Sequence, residues 1–274
     1  GFGTLRVVGN VAWIIGPAVG GVLIGFSYLL LFILDAVFSI ITAGIVYFNI
    51  PETKPRESEG KSQQTAMQAF AGYREVIKDG VFVAFTVISM FMILVYTQMY
   101  STLSVYLNSE HGMPAQGYGY LMSMNAAIVV IFQFWIMRKA KKYPPLVIMA
   151  IATALYGVGF SMFGVVSDYG FFMIAMAVIT FGEMLHVPTS QAIVMLFASE
   201  DMRGRYNAVS GLSWQIPDIF GTLVAGLVMD NMDPSLVWKF AGIICFVTFF
   251  GFLWLNTKAQ QRLAVYNIEK TIKI

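Results

Sequence analysis

The sequence is short of charge and almost lacks cysteine and histidine. Of its 274 residues, 12% are charged and 58% are hydrophobic, and the mean hydropathy is +0.72. A water-soluble domain carries about 25% charged residues, so lipid must cover much of this chain. The single cysteine, Cys245, excludes an internal disulfide and any cysteine-based metal cluster. A net charge of +2 gives no reason to expect a nucleic-acid partner.

Catalytic signatures are missing as well. The histidines, His111 and His186, are far apart, and no His-x-x-x-His motif, phosphate loop or nucleophile elbow occurs. We therefore expect neither an enzyme nor a bound metal or cofactor. The chain also lacks an initiator Met and a signal peptide, and it opens inside a glycine-rich helical pattern. We expect that further sequence precedes it.

Long apolar runs are abundant. Eight stretches are long enough to cross a bilayer, which takes about 20 helical residues. They are residues 5–26, 28–48, 81–107, 117–137, 146–166, 170–197, 206–229 and 236–255. This pattern predicts an all-α, polytopic membrane helix bundle.

The basic residues indicate its orientation. If the eight spans simply alternate, Lys239 is the only one of the 17 Lys and Arg residues that does not fall on a single side. The positive-inside rule makes that side cytoplasmic. We therefore expect the loops after the second, fourth and sixth spans, and the tail at 258–274, to be cytoplasmic, in a multi-pass protein of the inner or plasma membrane.

The polar stretch at 49–80 is predicted to be a cytoplasmic linker. In its second half, apolar residues from Met67 to Ile77 recur at near-helical spacing beside Arg74 and Lys78. This spacing predicts a short helix on the cytoplasmic lipid surface. An ordinary loop is the alternative.

An internal repeat relates the two ends of the chain. Trp13 aligns with Trp214 and Gly20 with Gly221 at a common offset, so the first span matches the seventh. Six spans separate them, and parallel repeats of six-helix halves are one known transporter architecture. The repeat predicts a parent of twelve spans, of which this chain holds numbers five to twelve. Residues 1–48 would end the N-terminal six-helix bundle, and residues 81–257 would form the C-terminal one.

Several motifs resemble those of major facilitator transporters, in particular bacterial drug–proton antiporters. The first span carries a signature like that of the family's fifth helix, with Ala12 in place of one glycine: Gly16, Pro17, Gly20 and Gly21. Glycines form a groove for a neighbouring helix, and proline bends a helix by removing a hydrogen bond. The resemblance implies a packing or gating role for these residues and for Pro217 and Gly221. The loop at 138–142 occupies the place of a family gating loop but lacks its Asp.

Three carboxylates lie inside predicted spans, at Asp35, Glu183 and Asp218. A charge at mid-membrane costs at least about 2.5–3.5 kcal/mol, and no Lys or Arg lies mid-span to pair with these groups. They are therefore either protonated and hydrogen-bonded or exposed to a water-filled cavity. A group whose protonation depends on its surroundings is what proton coupling requires.

Of these three carboxylates, Glu183 has polar neighbours on its own helix face. Thr180, Glu183, His186 and Ser190 recur three to four residues apart, so they share one helix face. Glu183 with His186, which titrates near neutrality when unperturbed, forms a candidate proton site. The alternative is a polar pair that joins two helices. Asp218 is a second candidate, and Asp35, nearer a membrane surface, is a third.

Other polar and aromatic side chains are candidates for a substrate cavity. Trp214 supplies an aromatic face for a cationic or aromatic substrate. Hydrogen-bonding groups come from Gln98, Tyr100, Asn125 and Gln215. For each of these residues, contact with lipid or with a neighbouring helix is the alternative.

We therefore expect a monomeric secondary transporter that exports small amphipathic molecules, drugs or metabolites, in exchange for protons. Its partners would be substrate, protons and membrane lipid. A uniporter or importer of a sugar, peptide or organic anion remains open, as does a membrane scaffold or sensor that transports nothing.

Overall fold

The structure, a computed structural model, describes residues 27–49, 66–199 and 201–272, together with the helical positions 12, 16, 19, 20 and 23. Side chains are described within 27–49, 72–199 and 201–259 and at the isolated positions. The helices are α1 (Tyr28–Asn49), α2 (Ala66–Lys78), α3 (Gly80–Ser101), α4 (Leu103–His111), α5 (Ala115–Ala140), α6 (Pro145–Phe163), α7 (Tyr169–Phe197), α8 (Arg203–Asn231) and α9 (Leu236–Ile272).

Seven helices in the described part are long and apolar enough to span a membrane. They are α1, α3, α5, α6, α7, α8 and the Leu236–Ala259 part of α9. The predicted all-α membrane bundle is confirmed, and these helices match the second to eighth predicted spans. The first predicted span, 5–26, lies outside the described residues except at the isolated positions.

Two boundaries differ from those predicted. The third span was expected to reach residue 107, but α3 ends at Ser101 and α4 begins at Leu103. At the break, the Thr102 hydroxyl donates to Oε1 of Gln98 at 2.6 Å. The segment around the break is polar, with Thr97, Gln98, Ser101, Thr102 and Ser104, but a window of about 20 residues averages these residues with their apolar neighbours. Helix α9 likewise continues to Ile272 through the predicted tail. Hydropathy did not predict this continuation because it marks the edge of the membrane and not the end of a helix.

Close helix contacts hold the bundle together. Helix α6 packs against α7 and α9, α3 packs against α8 and α9, and α5 packs against α7. A Cβ atom added to Gly159 of α6 would lie 2.9 Å from the backbone oxygen of Ala175 on α7. A Cβ atom on Gly157 would lie 3.0 Å from Cβ of Cys245 on α9. Small residues therefore let α6 touch both neighbours closely, as is usual in membrane interfaces.

Helices α1 and α2 have contrasting surroundings. No residue of α1 is buried. The helix expected in the linker is present as α2, where Val76 is fully buried and Ile77 is 64% exposed. Helix α2 packs against α3 and α8, and the Arg205 side chain fills the space beside Gly72. The predicted position of α2 at the lipid surface stays a prediction.

Candidate functional site

Five helices bring polar and aromatic side chains together around Glu183. Helix α7 supplies the carboxylate and packs against α5, α6 and α8. We call this group the Glu183 cluster; its members are Tyr96 and Tyr100 of α3, Asn125 of α5, Tyr156 of α6, Thr180, Glu183 and His186 of α7, and Trp214 of α8.

Glu183 is held by one neighbour at each carboxylate oxygen. The Tyr96 hydroxyl donates to Oε1 at 3.0 Å, and Nδ2 of Asn125 donates to Oε2 at 2.8 Å. Nδ2 of Asn125 also donates to the Thr180 hydroxyl at 2.9 Å. Glu183 is half-buried, and no Lys or Arg in the described part of the chain forms an ion pair with it. Among the described residues, the donors that stabilise the carboxylate are therefore neutral.

His186 lies one turn further along α7 and is fully buried. Its Nδ1 is 3.2 Å from the Tyr156 hydroxyl, and its ring stacks on Trp214 at 5.8 Å between centroids, with an angle of 12°. Its Nε2 has no hydrogen-bond partner in the described structure. The ring of Tyr96 meets His186 edge-on at 5.9 Å. Tyr96 therefore contacts both Glu183 and His186, which share no direct hydrogen bond among the described residues.

A proline and a glutamine brace α7 next to this cluster. Pro188 lies inside α7, and because proline has no N–H, the carbonyl of Met184, four residues earlier, loses its helical donor. Nε2 of Gln133 on α5 donates to that carbonyl at 3.0 Å. A proline inside an apolar span was the sequence signal for an orphaned carbonyl, but the sequence did not show which helix would supply the donor.

The predicted cavity residues divide into two groups. Tyr100, Asn125 and Trp214 belong to the cluster, whereas Gln98 does not. Gln98 is 3% exposed, and its Nε2 donates to the Leu94 carbonyl of its own helix at 2.9 Å. A Cβ atom on Gly221 would lie 2.7 Å from this nitrogen. Gln98 therefore packs at the contact between α3 and α8.

The other predicted proton sites lie apart from the cluster. Asp218 and Gln215 are exposed on α8, whereas Pro217 and Gly221 of the same helix are buried. Asp35 is exposed on α1. In the described structure no hydrogen bond or ion pair joins either carboxylate to the Glu183 cluster.

The glycine signature of the first span is only partly described. Nothing lies within 4 Å of a Cβ atom built on Gly16 or Gly20 in the described structure. Pro17 and Gly21 lie outside the described residues.

Tyr156 was not predicted as a site residue. It is fully buried at the centre of the cluster, 5.6 Å from the Tyr96 ring. In the sequence it is one of 13 tyrosines, and no neighbouring polar residue distinguishes it.

Comparison with known proteins shows the family. The sequence model of the Major Facilitator Superfamily matches residues 1–222. The chain belongs to this superfamily. The family and the curated relatives are transporters and not enzymes.

Curated relatives are transporters of the same superfamily. A Na(+), Li(+), K(+)/H(+) antiporter of Planococcus maritimus is 26% identical over 270 residues, which cover 90% of this chain and 62% of the antiporter. A bicyclomycin resistance protein homolog of Haemophilus influenzae is 24% identical, covering 91% of this chain and 64% of that protein. The chain therefore spans less than two thirds of the length of these relatives.

Solved structures support the same fold. A nucleoside transporter superposes with a TM-score of 0.74 at 18% identity, covering 93% of this chain and 67% of the transporter. A POT family transporter in complex with 5-aminolevulinic acid gives a TM-score of 0.57 at 14% identity, covering 84% of this chain and 53% of that transporter. At these identities the likeness concerns the fold alone.

Proposed function

We propose that this chain is part of a secondary transporter that exports small amphipathic molecules in exchange for protons, with Glu183 as the proton-coupling group. One observation carries the proposal: a half-buried carboxylate inside a membrane helix is bonded by Tyr96 and Asn125 and by no cation of the described residues. An unpaired carboxylate at mid-membrane is costly and usually functional. Protonation would remove that charge when the site closes.

The Glu183 cluster is built from several helices, so relative motion of these helices would change its contacts. Its side chains come from α3, α5, α6, α7 and α8, so a shift of one helix against another changes the hydrogen bonds of Glu183. In alternating access, the site near the midplane opens to one side and then to the other. A proton that binds better in one of the two states biases their equilibrium. We propose that Asp218, which is exposed on α8 and lies apart from the Glu183 cluster in the described structure, is a second proton site.

The aromatic members of the cluster would bind the substrate. Trp214 is half-buried, stacks on His186 and meets the Tyr96 ring edge-on at 5.9 Å. Aromatic faces beside a carboxylate suit an organic cation with an apolar body. One relative is a bicyclomycin resistance protein homolog, which favours a drug as the substrate.

A second function uses the same residues. Carboxylate, hydroxyl and phenol oxygens come together at Glu183, Thr180 and Tyr96, and oxygen ligands are those that hard cations prefer. One relative is a Na(+), Li(+), K(+)/H(+) antiporter. Exchange of an alkali cation for a proton is therefore the second candidate.

One experiment separates these functions. The full-length protein is reconstituted in liposomes with an imposed pH gradient, and movement of ethidium, Na+, Li+ and K+ is followed in separate samples. We expect the gradient to drive ethidium movement with wild-type protein and not with Glu183→Gln. Alkali-cation exchange without dye movement would replace the first function by the second. Equal gradient-driven movement in wild type and variant would refute the role of Glu183.

A further inference from the structure

A groove opens at one end of α5 and α6, and none of its lining residues belongs to the Glu183 cluster. It lies where α5 ends and α6 begins, with one wall from α7, and has a volume of about 240 Å³. Its lining residues are Trp135, Ile136, Lys139, Ala140, Tyr143, Ile148, Ile151 and Leu185. Trp135 is 56% exposed and Tyr143 60% exposed, so the groove opens outward. We call it the Trp135 groove.

The Trp135 groove has an apolar body and a mouth that carries a positive charge. Its body is built of Ile136, Ile148, Ile151 and Leu185, which offer only apolar surface. At its mouth, Nζ of Lys139 lies 3.8 Å from the ring centroid of Trp135. Trp and Tyr are typical of the level of the lipid headgroups, and lysine extends its ammonium group toward that level. The groove therefore runs from the headgroup level toward the hydrocarbon core.

The chain segment that passes the mouth of the groove is strongly basic, and Lys139 is the basic residue in it that lines the groove. Arg138, Lys139, Lys141 and Lys142 are all exposed, and none of them forms an ion pair in the part of the chain that the structure describes. No Asp or Glu occurs in the sequence between Glu110 and Asp168. The four positive charges therefore have no nearby acidic residue along the chain and are available to a negatively charged ligand.

We propose that the Trp135 groove binds one anionic phospholipid. Part of an acyl chain lies along the apolar body, and the phosphate lies beside Nζ of Lys139, the basic side chain among the lining residues. Clusters of Lys and Arg next to a membrane helix are known to bind anionic lipid headgroups. The charge at the mouth favours an anionic lipid over a zwitterionic one, and the apolar body favours a lipid over a soluble phosphate. The groove has a volume of about 240 Å³, which is below the roughly 300–1,000 Å³ of pockets for drug-sized ligands. A lipid would therefore place only part of one acyl chain in it.

Native mass spectrometry of the purified full-length protein tests the proposal. Phosphatidylglycerol and phosphatidylcholine with identical acyl chains are titrated separately, and the first binding constant of each is measured. Lys139→Gln has Lys142→Gln as its control, because Lys142 carries the same charge three residues further along the chain but does not line the groove. Trp135→Ala has Phe134→Ala as its control, because Phe134 is 80% exposed and lies outside the lining.

We expect wild-type protein to bind phosphatidylglycerol more tightly than phosphatidylcholine. Lys139→Gln should weaken phosphatidylglycerol binding by about fivefold and leave phosphatidylcholine binding unchanged, whereas Trp135→Ala should weaken both lipids. Three results would overturn the proposal. They are equal binding of the two lipids by wild type, equal effects of Lys139→Gln and Lys142→Gln, and displacement of phosphatidylglycerol by millimolar glycerol phosphate.

Discussion

The contact between Gln133 and the Met184 carbonyl gives the most specific prediction. If Gln133 replaces the donor that Pro188 cannot supply, the effect of removing Gln133 depends on the proline. Gln133→Leu in the wild-type background leaves the carbonyl of the fully buried Met184 without a partner. In a Pro188→Ala background, the N–H of residue 188 is available to that carbonyl, and the same substitution should cost much less.

The expected difference in the free energy of unfolding between the two backgrounds follows from measured hydrogen-bond energies inside membranes. Measured side-chain hydrogen bonds between membrane helices average about 0.6 kcal/mol and reach about 1.7 kcal/mol. A buried acceptor left without a partner costs about 1–3 kcal/mol. We therefore expect Gln133→Leu to destabilise the protein by about 1–2 kcal/mol with Pro188 present. With alanine at position 188, we expect a loss below about 0.5 kcal/mol.

A double-mutant cycle measures this coupling. The four proteins, wild type, the two single variants and the double variant, are unfolded reversibly in mixed micelles, and their free energies of unfolding are compared. A coupling energy near 1 kcal/mol is the expected result. Equal losses in both backgrounds would show that Gln133 does not compensate for the proline, and the account of the α5–α7 contact would be wrong.

Three further predictions concern packing, the hydrogen bonds of the cluster and substrate binding. Gly159→Ala should lower the free energy of unfolding by about 1–3 kcal/mol, since its Cβ would lie 2.9 Å from a backbone oxygen; Gly226→Ala, with nothing described within 4 Å, should not lower it. Asn125→Ala should lower the melting temperature, because it removes the donor to Glu183 and Thr180, worth about 0.6–1.7 kcal/mol; an unchanged value would show that these bonds contribute nothing. Trp214→Ala should weaken binding of an aromatic cation, followed by fluorescence titration, by about twofold to thirtyfold, and unchanged affinity would remove this residue from the binding site.

The membrane-spanning helices could be predicted because hydropathy and length report directly on them. Seven predicted spans match helices of the described structure. Hydropathy averaged over a window as long as a span does not show where a helix ends within that window, which is why the interruption at Thr102 was missed. Nor does it show that α9 continues beyond the membrane.

The candidate site was predictable only in part. Glu183 and His186 were identified because ionisable residues are rare in a membrane span, and Asn125 because it is a polar residue in one. The rotation of each helix about its axis was not available from sequence. Gln98 follows Tyr96 by two residues and therefore points to a different side of α3, where it packs against Gly221. The depth of Tyr156 depends on how α6 packs between α7 and α9, which no local pattern encodes.

The central claim is that Glu183 releases its proton when the substrate binds. It is tested most directly by counting the protons released when substrate binds to purified full-length protein in a weakly buffered solution with a pH indicator. Glu183→Gln is the comparison, because glutamine keeps an oxygen for Tyr96 or Asn125 and cannot titrate. The account predicts that wild type releases about one proton more per bound substrate than Glu183→Gln does. Equal proton release by both proteins would contradict it.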